Sequence, residues 1–386
     1  MWTMSQSRRY WGRLIRSERC TRTGGLRLAL PLLSLLTLCG CPPPVPSDGG
    51  DDGIPNLDNA GNGSFDSAST VPLDGSGFFE FRGSIESATD LDIYNIGPIN
   101  PGDRIFVDVQ AAHPRRLDLV AAIFSSEEFL QYYSDDRANN DFNPLIDFVL
   151  RGDPGLYYLG IQQYYQNNAT GSYTVTVQIT PNAGVPPPAG QVVFLDWDGG
   201  QNITIPNVGT FDLPPFDAAD LGPYEGQTEQ MKDRIEEIVA ERYEGYDLLL
   251  LNSDDHPVPS GPHSTVYFGG FSQGAFAISE QVDPYNRDHA DDAIIFTRTY
   301  DVAFRRHPTF EQMAQAVGNT VAHELGHLLG LVHTADCADL MDTRCTNDSI
   351  LVPQQFGTAV LDHSVFSLGL QNELELLDWI LGFVGL

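Results

Sequence analysis

Residues 323–333 read His323-Glu324-Leu325-Gly326-His327-Leu328-Leu329-Gly330-Leu331-Val332-His333. Pro308 stands a short way upstream and marks a helix start, because proline is favoured at or just before a first helical turn. We therefore predict a helix that begins near Thr309 or Phe310 and runs to about Leu329. The quoted stretch lies at the carboxyl end of this helix.

The three histidines of this stretch can meet at one point. A step of four residues turns an α-helix by about 400°, so His323 and His327 project from one face, one turn apart. Gly330 can adopt a positive φ and end the helix, which brings His333 back toward the pair. Three neutral nitrogens with an open fourth position are the ligand set of catalytic Zn²⁺.

Glu324 has a separate predicted role. It lies about 100° further round the helix, where it can reach a water on the metal without being a ligand itself. In a zinc endopeptidase, zinc acidifies the water, and Glu324 takes its proton during attack on the peptide carbonyl and passes it to the leaving amine. Two alternatives remain open: a non-catalytic surface lipoprotein with a metal-stabilised fold, and hydrolysis of a non-peptide amide. Glu324 argues against the first, since a purely structural metal has no use for it.

The quoted stretch resembles the metzincin zinc-peptidase signature, with every fixed position present. The resemblance implies catalytic Glu324 and the zinc ligands His323, His327 and His333. Met341, eight residues after the last histidine, fits the matrixin-like spacing of the Met-turn, although Thr334 stands where matrixins usually have Ser. In this family the substrate lies antiparallel to a sheet edge strand, for which Gly274–Ile278 is our candidate. No cysteine-switch segment precedes the domain, so any latency mechanism is open.

The amino-terminal residues 1–40 have the features of a lipoprotein signal peptide. A basic region is followed by an apolar run, Leu28 to Leu38, that is too short to span a bilayer. Leu38-Cys39-Gly40-Cys41 resembles a bacterial lipobox, which implies lipid on Cys41 and membrane attachment. Pro42, rather than Asp, follows the cysteine, and the resemblance to Gram-negative lipoproteins then implies the outer membrane. An ordinary secretory signal that ends in Cys is the alternative, and it gives a secreted protein.

The cysteines fit an exported protein. Cys20 and Cys39 leave with the signal and Cys41 carries the lipid, so Cys337 and Cys345 remain as one pair. Disulfides persist in oxidising compartments outside the cytoplasm. We predict a Cys337–Cys345 disulfide that closes a loop around Met341 and stabilises the fold by about 2–3 kcal/mol.

The rest of the chain divides by composition. Residues 41–77, rich in Pro, Gly, Asp and Ser, predict a flexible acidic tether. The Pro-rich linker at residues 181–190 separates residues 78–180 from residues 191–386 and predicts that the two parts share few contacts. We predict a multidomain fold class: an all-β sandwich followed by an α+β metzincin-like zinc peptidase domain.

Short β-type runs separated by turn signals predict the sandwich. It resembles the bacterial pre-peptidase C-terminal domain through five groups of residues: Asp90-Leu-Asp92-Ile-Tyr94, Pro101-Gly102-Asp103, Leu117-Asp118-Leu119, Gly155-Leu-Tyr157-Tyr158 and Gly171-Ser-Tyr173-Thr-Val. The resemblance implies an accessory or substrate-contacting unit, and a plain spacer is equally open. In the second domain, the run at Val192–Leu195, a helical pattern from Thr228 to Tyr243 and a strand at Leu248–Leu251 predict a parallel strand pair.

The charge limits the partners. The chain has 386 residues, with 52 Asp and Glu against 21 Lys and Arg, and a formal net charge of −31. Such a surface repels phosphate backbones, so nucleic-acid binding is excluded. A protein or peptide substrate is expected instead from the zinc-peptidase interpretation of the histidine stretch. A structural ion, Ca²⁺ or Zn²⁺, is a second cofactor to consider. Its candidate ligands, which fit solvated loops equally well, are Asp254, Asp255, His256, His263, His289, Asp291 and Asp292.

Overall fold

The structure, a computed structural model, describes residues 53–385 except residues 60, 139–140, 166 and 207. The predicted signal peptide, the lipobox and Cys41 lie outside the described residues. Within the described part of the chain, no helix combines the length and the apolar character needed to cross a membrane.

The first part of the chain folds into two facing sheets that are antiparallel except for the short first strand. Their strands are β1 (Ser69–Thr70), β2 (Phe78–Ile85), β3 (Leu91–Ile99), β4 (Arg104–Ala111), β5 (Leu119–Ser125), β6 (Leu130–Ser134), β7 (Leu145–Val149), β8 (Gly155–Gln163) and β9 (Gly171–Thr180). One sheet has the order β1-β3-β8-β5-β6 and the other β2-β9-β4-β7. Apolar residues from both sheets form one core, as the predicted sandwich requires.

The predicted tether is wrong for its described part, residues 53–77. Strand β1 pairs in parallel with β3, and the Leu57 amide donates a hydrogen bond to the Arg82 carbonyl at 3.0 Å. Val71 is only 4% exposed in the sandwich core, and the Phe65 ring meets that of Phe124 edge-on at 5.4 Å. The apolar residues here are too scattered to give a period, yet Leu57, Phe65, Ala68, Val71 and Leu73 all pack on the sandwich.

The second part of the chain mixes strands and helices. Its strands are β10 (Gln191–Asp196), β11 (Gly200–Ile205), β12 (Gly209–Leu213), β13 (Leu248–Asn252), β14 (Ser264–Phe268), β15 (Ala277–Ser279), β16 (Asp292–Ile295), β17 (Thr358–Val360) and β18 (Leu370–Asn372). Its helices are α1 (Thr228–Arg242), α2 (Thr297–Ala303), α3 (Phe310–Leu328) and α4 (Glu373–Ile380). The main sheet has the order β13-β10-β14-β16-β15.

This main sheet confirms the predicted parallel pair. Strand β10 lies parallel to both β13 and β14, and α1 connects β10 to β13 along the chain. Strand β15 is antiparallel to β16 at the edge of the sheet. The predicted edge segment, Gly274–Ile278, overlaps this strand, which begins later, at Ala277.

Helix α3 lies at the centre of the second part and packs closely against α1. Every residue from Met313 to Leu328 is buried. A Cβ at Gly318 would lie 2.6 Å from Cγ2 of Ile238, so the absence of a side chain at this position permits the close approach of the two helices. The helix begins with a capping box between Thr309 and Gln312, which confirms the predicted start.

The prediction that the two parts share few contacts is wrong, as strand β5 shows. On one face of β5, Leu119, Ala121 and Ile123 enter the sandwich core. On the other face, Val120, Ala122 and Phe124 join a second core that includes residues of both parts. The 181–190 linker is exposed, but the β1-β3-β8-β5-β6 sheet packs directly on residues of the second part, among them Val332 and Phe366, through this shared core.

Polar groups reinforce the shared core. The backbone amide and the hydroxyl of Ser367 donate to Oε1 of Gln162 at 3.0 and 2.7 Å, and the Tyr285 hydroxyl donates to the Gln131 carbonyl at 3.0 Å. The Phe124 and Phe366 rings lie 5.2 Å apart across the same boundary. The two parts are therefore joined by a buried, hydrogen-bonded boundary.

Candidate metal centre

His323 and His327 lie in the last turns of α3, on the same face. Their ring centroids are 4.7 Å apart, and both side chains are buried. Helix α3 ends where Gly330 adopts a φ of +96°. A Cβ at that position would lie 2.6 Å from the carbonyl oxygen of Asp283, so only glycine fits this turn without strain.

The turn brings His333 back to the helical pair. Its Nε2 lies 3.0 Å from Nε2 of His327, and its ring centroid lies 5.4 Å from that of His323. One nitrogen from each of the three rings can be chosen so that all three lie within 4.8 Å of one another. The structure thus brings together the three histidines that the sequence pattern predicted as ligands.

Hydrogen bonds to backbone carbonyls orient two of these rings. Nδ1 of His323 donates to the Leu340 carbonyl at 2.7 Å, and Nδ1 of His327 donates to the Leu331 carbonyl at 2.8 Å. Because a carbonyl can only accept, the proton is on Nδ1 and the lone pair is on Nε2. This second layer of contacts is the usual arrangement around a metal-binding histidine.

Burial keeps all three imidazoles neutral at physiological pH. It lowers the pKa of His327 to about 4 and that of His323 and His333 well below the ordinary value, with the neighbouring imidazoles adding to the effect for the latter two. Neutral, oriented nitrogens match the ligands that Zn²⁺ prefers. The donor set therefore fits a zinc ion.

Glu324 is fully buried beside the first histidine. Burial raises the pKa of its carboxyl group to about 8, while interactions with the side chain and backbone of Ser279 act in the opposite direction. Ser279 is the last residue of the edge strand β15. A cation nearby would favour the ionised carboxylate. The acid thus lies between the helix that carries the histidines and the strand at the sheet edge.

Met341 lies in the loop that follows His333 and is fully buried. Its backbone amide donates a hydrogen bond to Oδ1 of Asp339 at 2.9 Å, and its carbonyl accepts one from the Thr334 amide at 3.0 Å. The Thr334 hydroxyl donates to the same Asp339 oxygen at 2.7 Å. Threonine therefore supplies the hydroxyl that serine would give, and the loop is held in a tight turn.

The structure contains the predicted disulfide between Cys337 and Cys345, whose Cα atoms lie 5.6 Å apart. It closes the loop on either side of Met341. The calcium or zinc ligands suggested for other loops are not brought together: in the described part of the chain, none of the seven belongs to a group with metal-ligand spacing. Asp254, for example, pairs with Lys232 instead.

Sequence reasoning missed a buried polar network behind His333. Gln371 on β18 accepts a hydrogen bond from the Val332 amide and donates one to the Val332 carbonyl, both at 2.8 Å. It also donates to Oε1 of Glu373 at 3.0 Å. Burial and the nearby Asp339 raise the pKa of Glu373 well above its ordinary value. No local pattern could have predicted contacts over this separation along the chain.

The chain matches no family model and no curated protein. Among solved structures, it is similar to the pre-peptidase C-terminal domain of a Bacillus anthracis collagenase, with 18% identity, a TM-score of 0.23, and coverage of 29% of this chain and 94% of that domain. It is also similar to archaemetzincin from Methanopyrus kandleri, with 18% identity, a TM-score of 0.25, and coverage of 42% of this chain and 85% of that one. A third likeness is to PliG of Aeromonas hydrophila, a periplasmic inhibitor of g-type lysozyme, at 14% identity, a TM-score of 0.23, and coverage of 29% and 96%.

Proposed function

We propose that the protein is a zinc-dependent endopeptidase of the metzincin type. One observation carries the proposal: three buried, neutral imidazoles converge at the end of α3, and an acid on the same helix faces the sheet edge. This arrangement supplies three nitrogen ligands and a proton acceptor within one loop and one helix. A zinc ion held there would polarise a carbonyl group and acidify a water molecule.

Residues of the chain would supply the proton transfer and the binding of the peptide. Glu324 takes a proton from the attacking water and delivers it to the leaving amine, as general base and then general acid. Strand β15 pairs with β16 along one edge, and in the described part of the chain no strand pairs with its other edge. An extended peptide could bind along that edge through main-chain hydrogen bonds. Met341 and the Cys337–Cys345 disulfide hold the loop that follows His333.

A non-catalytic surface protein with a structural metal is the weaker candidate. Burying a carboxyl group costs free energy unless it is neutralised or hydrogen-bonded, and Glu324 is buried next to the ligands. A site that only holds a metal needs no such acid. We also propose that the protein acts outside the cytoplasm, anchored by lipid on Cys41. The disulfide supports the location outside the cytoplasm, because disulfides persist in oxidising compartments.

The test separates the metal from the base. Zinc content by mass spectrometry and cleavage of a denatured protein substrate are measured on wild type, Glu324→Gln and His333→Ala. We expect Glu324→Gln to keep near-stoichiometric zinc and to lose about 10²–10⁴-fold in rate. His333→Ala should lose zinc, since one of three ligands is removed.

Glu311→Gln is the matched control, because Glu311 is an exposed acid in the first turn of the same helix and its carboxylate forms a surface ion pair with Arg234. It should keep both zinc and activity. Full activity in Glu324→Gln would overturn the mechanism. Wild-type protein that binds no zinc would overturn the site itself.

A further inference from the structure

Three carboxylates meet at one edge of the sandwich, outside the histidine site. Asp118 directly precedes β5 and is 4% exposed, while Asp135 and Asp136 follow β6 and are half-buried. Strands β5 and β6 are antiparallel neighbours, and Ala121 pairs with Ser134, so the start of one strand lies beside the end of the other. One oxygen from each carboxylate can be chosen so that all three lie within 4.8 Å of one another. Three negative charges at this separation repel one another.

A second observation points to something bound between them. The hydroxyl of Tyr133, a residue only 7% exposed, has no hydrogen-bond partner in the described part of the chain. Burial raises the pKa of this hydroxyl well above its ordinary value, and the charges of Asp135, Asp118 and Asp136 raise it further, so the hydroxyl lies in their field. A buried hydroxyl without a partner is costly to keep. A water molecule on a bound ion would satisfy it.

The cluster also has access to solvent. Asp135 and Asp136 line a cleft of about 330 Å³ between the sandwich and the segment that follows β15, and Tyr133 lines the same cleft. Calcium takes six to eight oxygen ligands, some of them water, in flexible geometry. The ion can enter through the cleft, and water from the cleft can fill the ligand positions that the three aspartates do not occupy. Magnesium demands a stricter octahedron, and zinc favours nitrogen and sulfur, so the all-oxygen set favours calcium.

We propose that Asp118, Asp135 and Asp136 bind one Ca²⁺ ion, with water from the cleft completing its shell and the Tyr133 hydroxyl hydrogen-bonded to that water. The site is independent of peptidase activity. Its position gives it a structural consequence, because Tyr133 belongs to the shared core that also contains Val332, the neighbour of His333. The ion would hold together the start of β5 and the end of β6, next to the shared core on which the His333 loop packs.

The test uses the full mature chain, stripped of divalent ions and reloaded with one equivalent of zinc. Calorimetric titration with CaCl₂ should show one ion per chain, with a Kd on the order of 10⁻⁴–10⁻³ M, as in extracellular modules. Thermal melting in 10 mM CaCl₂ should raise Tm by about 2–4 °C. Asp135→Asn and Asp136→Asn, made separately, should each weaken calcium binding at least tenfold and abolish the rise in Tm.

The sign of the effect distinguishes a metal ligand from a merely structural acid. Without calcium, Asp135→Asn should melt higher than wild type, because one repelling charge is gone. With calcium, wild type should melt higher than the variant. Asp198→Asn is the control, since Asp198 is exposed and lies on another part of the chain, and it should behave as wild type.

Three results would overturn the site. The first is neither heat of binding nor a change in Tm for wild type up to 10 mM calcium. The second is calcium binding by both aspartate variants as tight as that of wild type. The third is the same rise in Tm with MgCl₂ at equal concentration. None of these results would affect the zinc and Glu324 measurements, so failure of the calcium site and failure of the proposed function are distinguishable.

Discussion

Met341 packs against α3 at Gly326, where the helix has no side chain. A Cβ at Gly326 would lie 2.7 Å from Sδ of Met341 and 3.2 Å from its Cε. Gly326 is one of the residues between His323 and His327, and Met341 is fully buried. The loop that follows the third histidine therefore packs closely on the helix that carries the other two, because Gly326 has no side chain and leaves room for Met341.

This contact predicts a coupling between the two positions. Gly326→Ala should destabilise the protein by about 1–3 kcal/mol through overpacking, less the gain of about 1 kcal/mol from the better helix former. Met341→Ala should cost about 2–5 kcal/mol in wild type, and clearly less when Gly326→Ala is present, because the shorter side chain leaves room for the added methyl group. Urea unfolding of the four proteins gives the coupling.

Gly261→Ala is the control for that cycle, because a Cβ there meets nothing within 4 Å and its φ is not positive. It should change stability little. Strictly additive effects of Gly326→Ala and Met341→Ala would show that the packing described here does not limit stability.

The shared core predicts that the two parts of the chain are one cooperative unit. Phe124→Ala should cost about 3–5 kcal/mol, because the ring is fully buried on Phe366 at the boundary. Zinc content should fall with it, since Val332 beside His333 belongs to the same core. Leu156→Ala, at a 41% exposed position of the sandwich, should be close to neutral in both measurements.

A truncated chain tests the same point. A variant that starts at Gly190 exposes the apolar surface that the sandwich covers, and we expect it to aggregate or to bind zinc poorly. Size-exclusion chromatography with zinc analysis measures this. A monomeric, zinc-loaded and active fragment would contradict the prediction.

Gln371 should raise the zinc affinity of the site without being a metal ligand. Its side chain satisfies both the amide and the carbonyl of Val332, so Gln371→Ala leaves two buried backbone groups without partners. Loss of such second-layer contacts typically costs 10–100-fold in metal affinity. Zinc competition against a chelator should show this loss, with Gln110→Ala on the exposed face of β4 as the control. Unchanged zinc affinity in Gln371→Ala would place the network outside the metal site.

Asp92 should make stability depend on pH. It is 1% exposed and accepts a hydrogen bond from the Tyr173 hydroxyl, which in turn contacts the Tyr94 hydroxyl at 2.8 Å. Burial raises the pKa of Asp92 from 3.8 to about 7. Between these pH values the folded protein holds a proton that the unfolded chain releases, so its contribution to stability is present below about pH 4 and is lost as pH rises to about 7.

The difference in pKa corresponds to about 4 kcal/mol at most. Asp92→Asn keeps the acceptor for Tyr173 but has no charge to bury, so its stability relative to wild type should rise between pH 4 and pH 7 and stay level above. Urea unfolding at several pH values measures the difference. A wild-type and a variant curve that stay parallel across this range would contradict the raised pKa.

Lipid attachment is tested at Cys41 by metabolic palmitate labelling. The lipobox predicts labelling of the wild-type protein and none of Cys41→Ser. Equal labelling of both proteins, or of neither, would remove the membrane anchor and leave a secreted protein.

Local sequence signals predicted the helices and strands that carry the site. Pro308 and the histidine spacing predicted α3, and apolar runs between turn residues predicted β10 and β13. The contact between the two parts was harder to predict, although Leu119–Phe124 is a continuous apolar run rather than an alternating one. Such a run is typical of a strand covered on both faces, and β5 is buried on both.

Other features have no local signature. The aspartates of the proposed calcium site come from different strand ends, and the Gln371 network joins residues that are neighbours only after folding. Scattered residues such as Phe65 and Val71 show no period, so composition alone predicted a tether where the structure has packed chain. In each case the missing information is which distant segment covers the residue.

The order in which the chain can fold follows from the face of β5 that carries Val120, Ala122 and Phe124. Residues that contact this sheet arrive late: Ser367, which bonds to Gln162, follows it by 205 residues. A chain that emerges with its amino terminus first can close the sandwich core early, but it leaves this apolar face open to water until nearly all of the chain has emerged. Non-local contacts of this kind slow folding and expose surface that aggregates. The sandwich is therefore the part of the nascent chain that most needs protection by a chaperone while the rest is still being delivered.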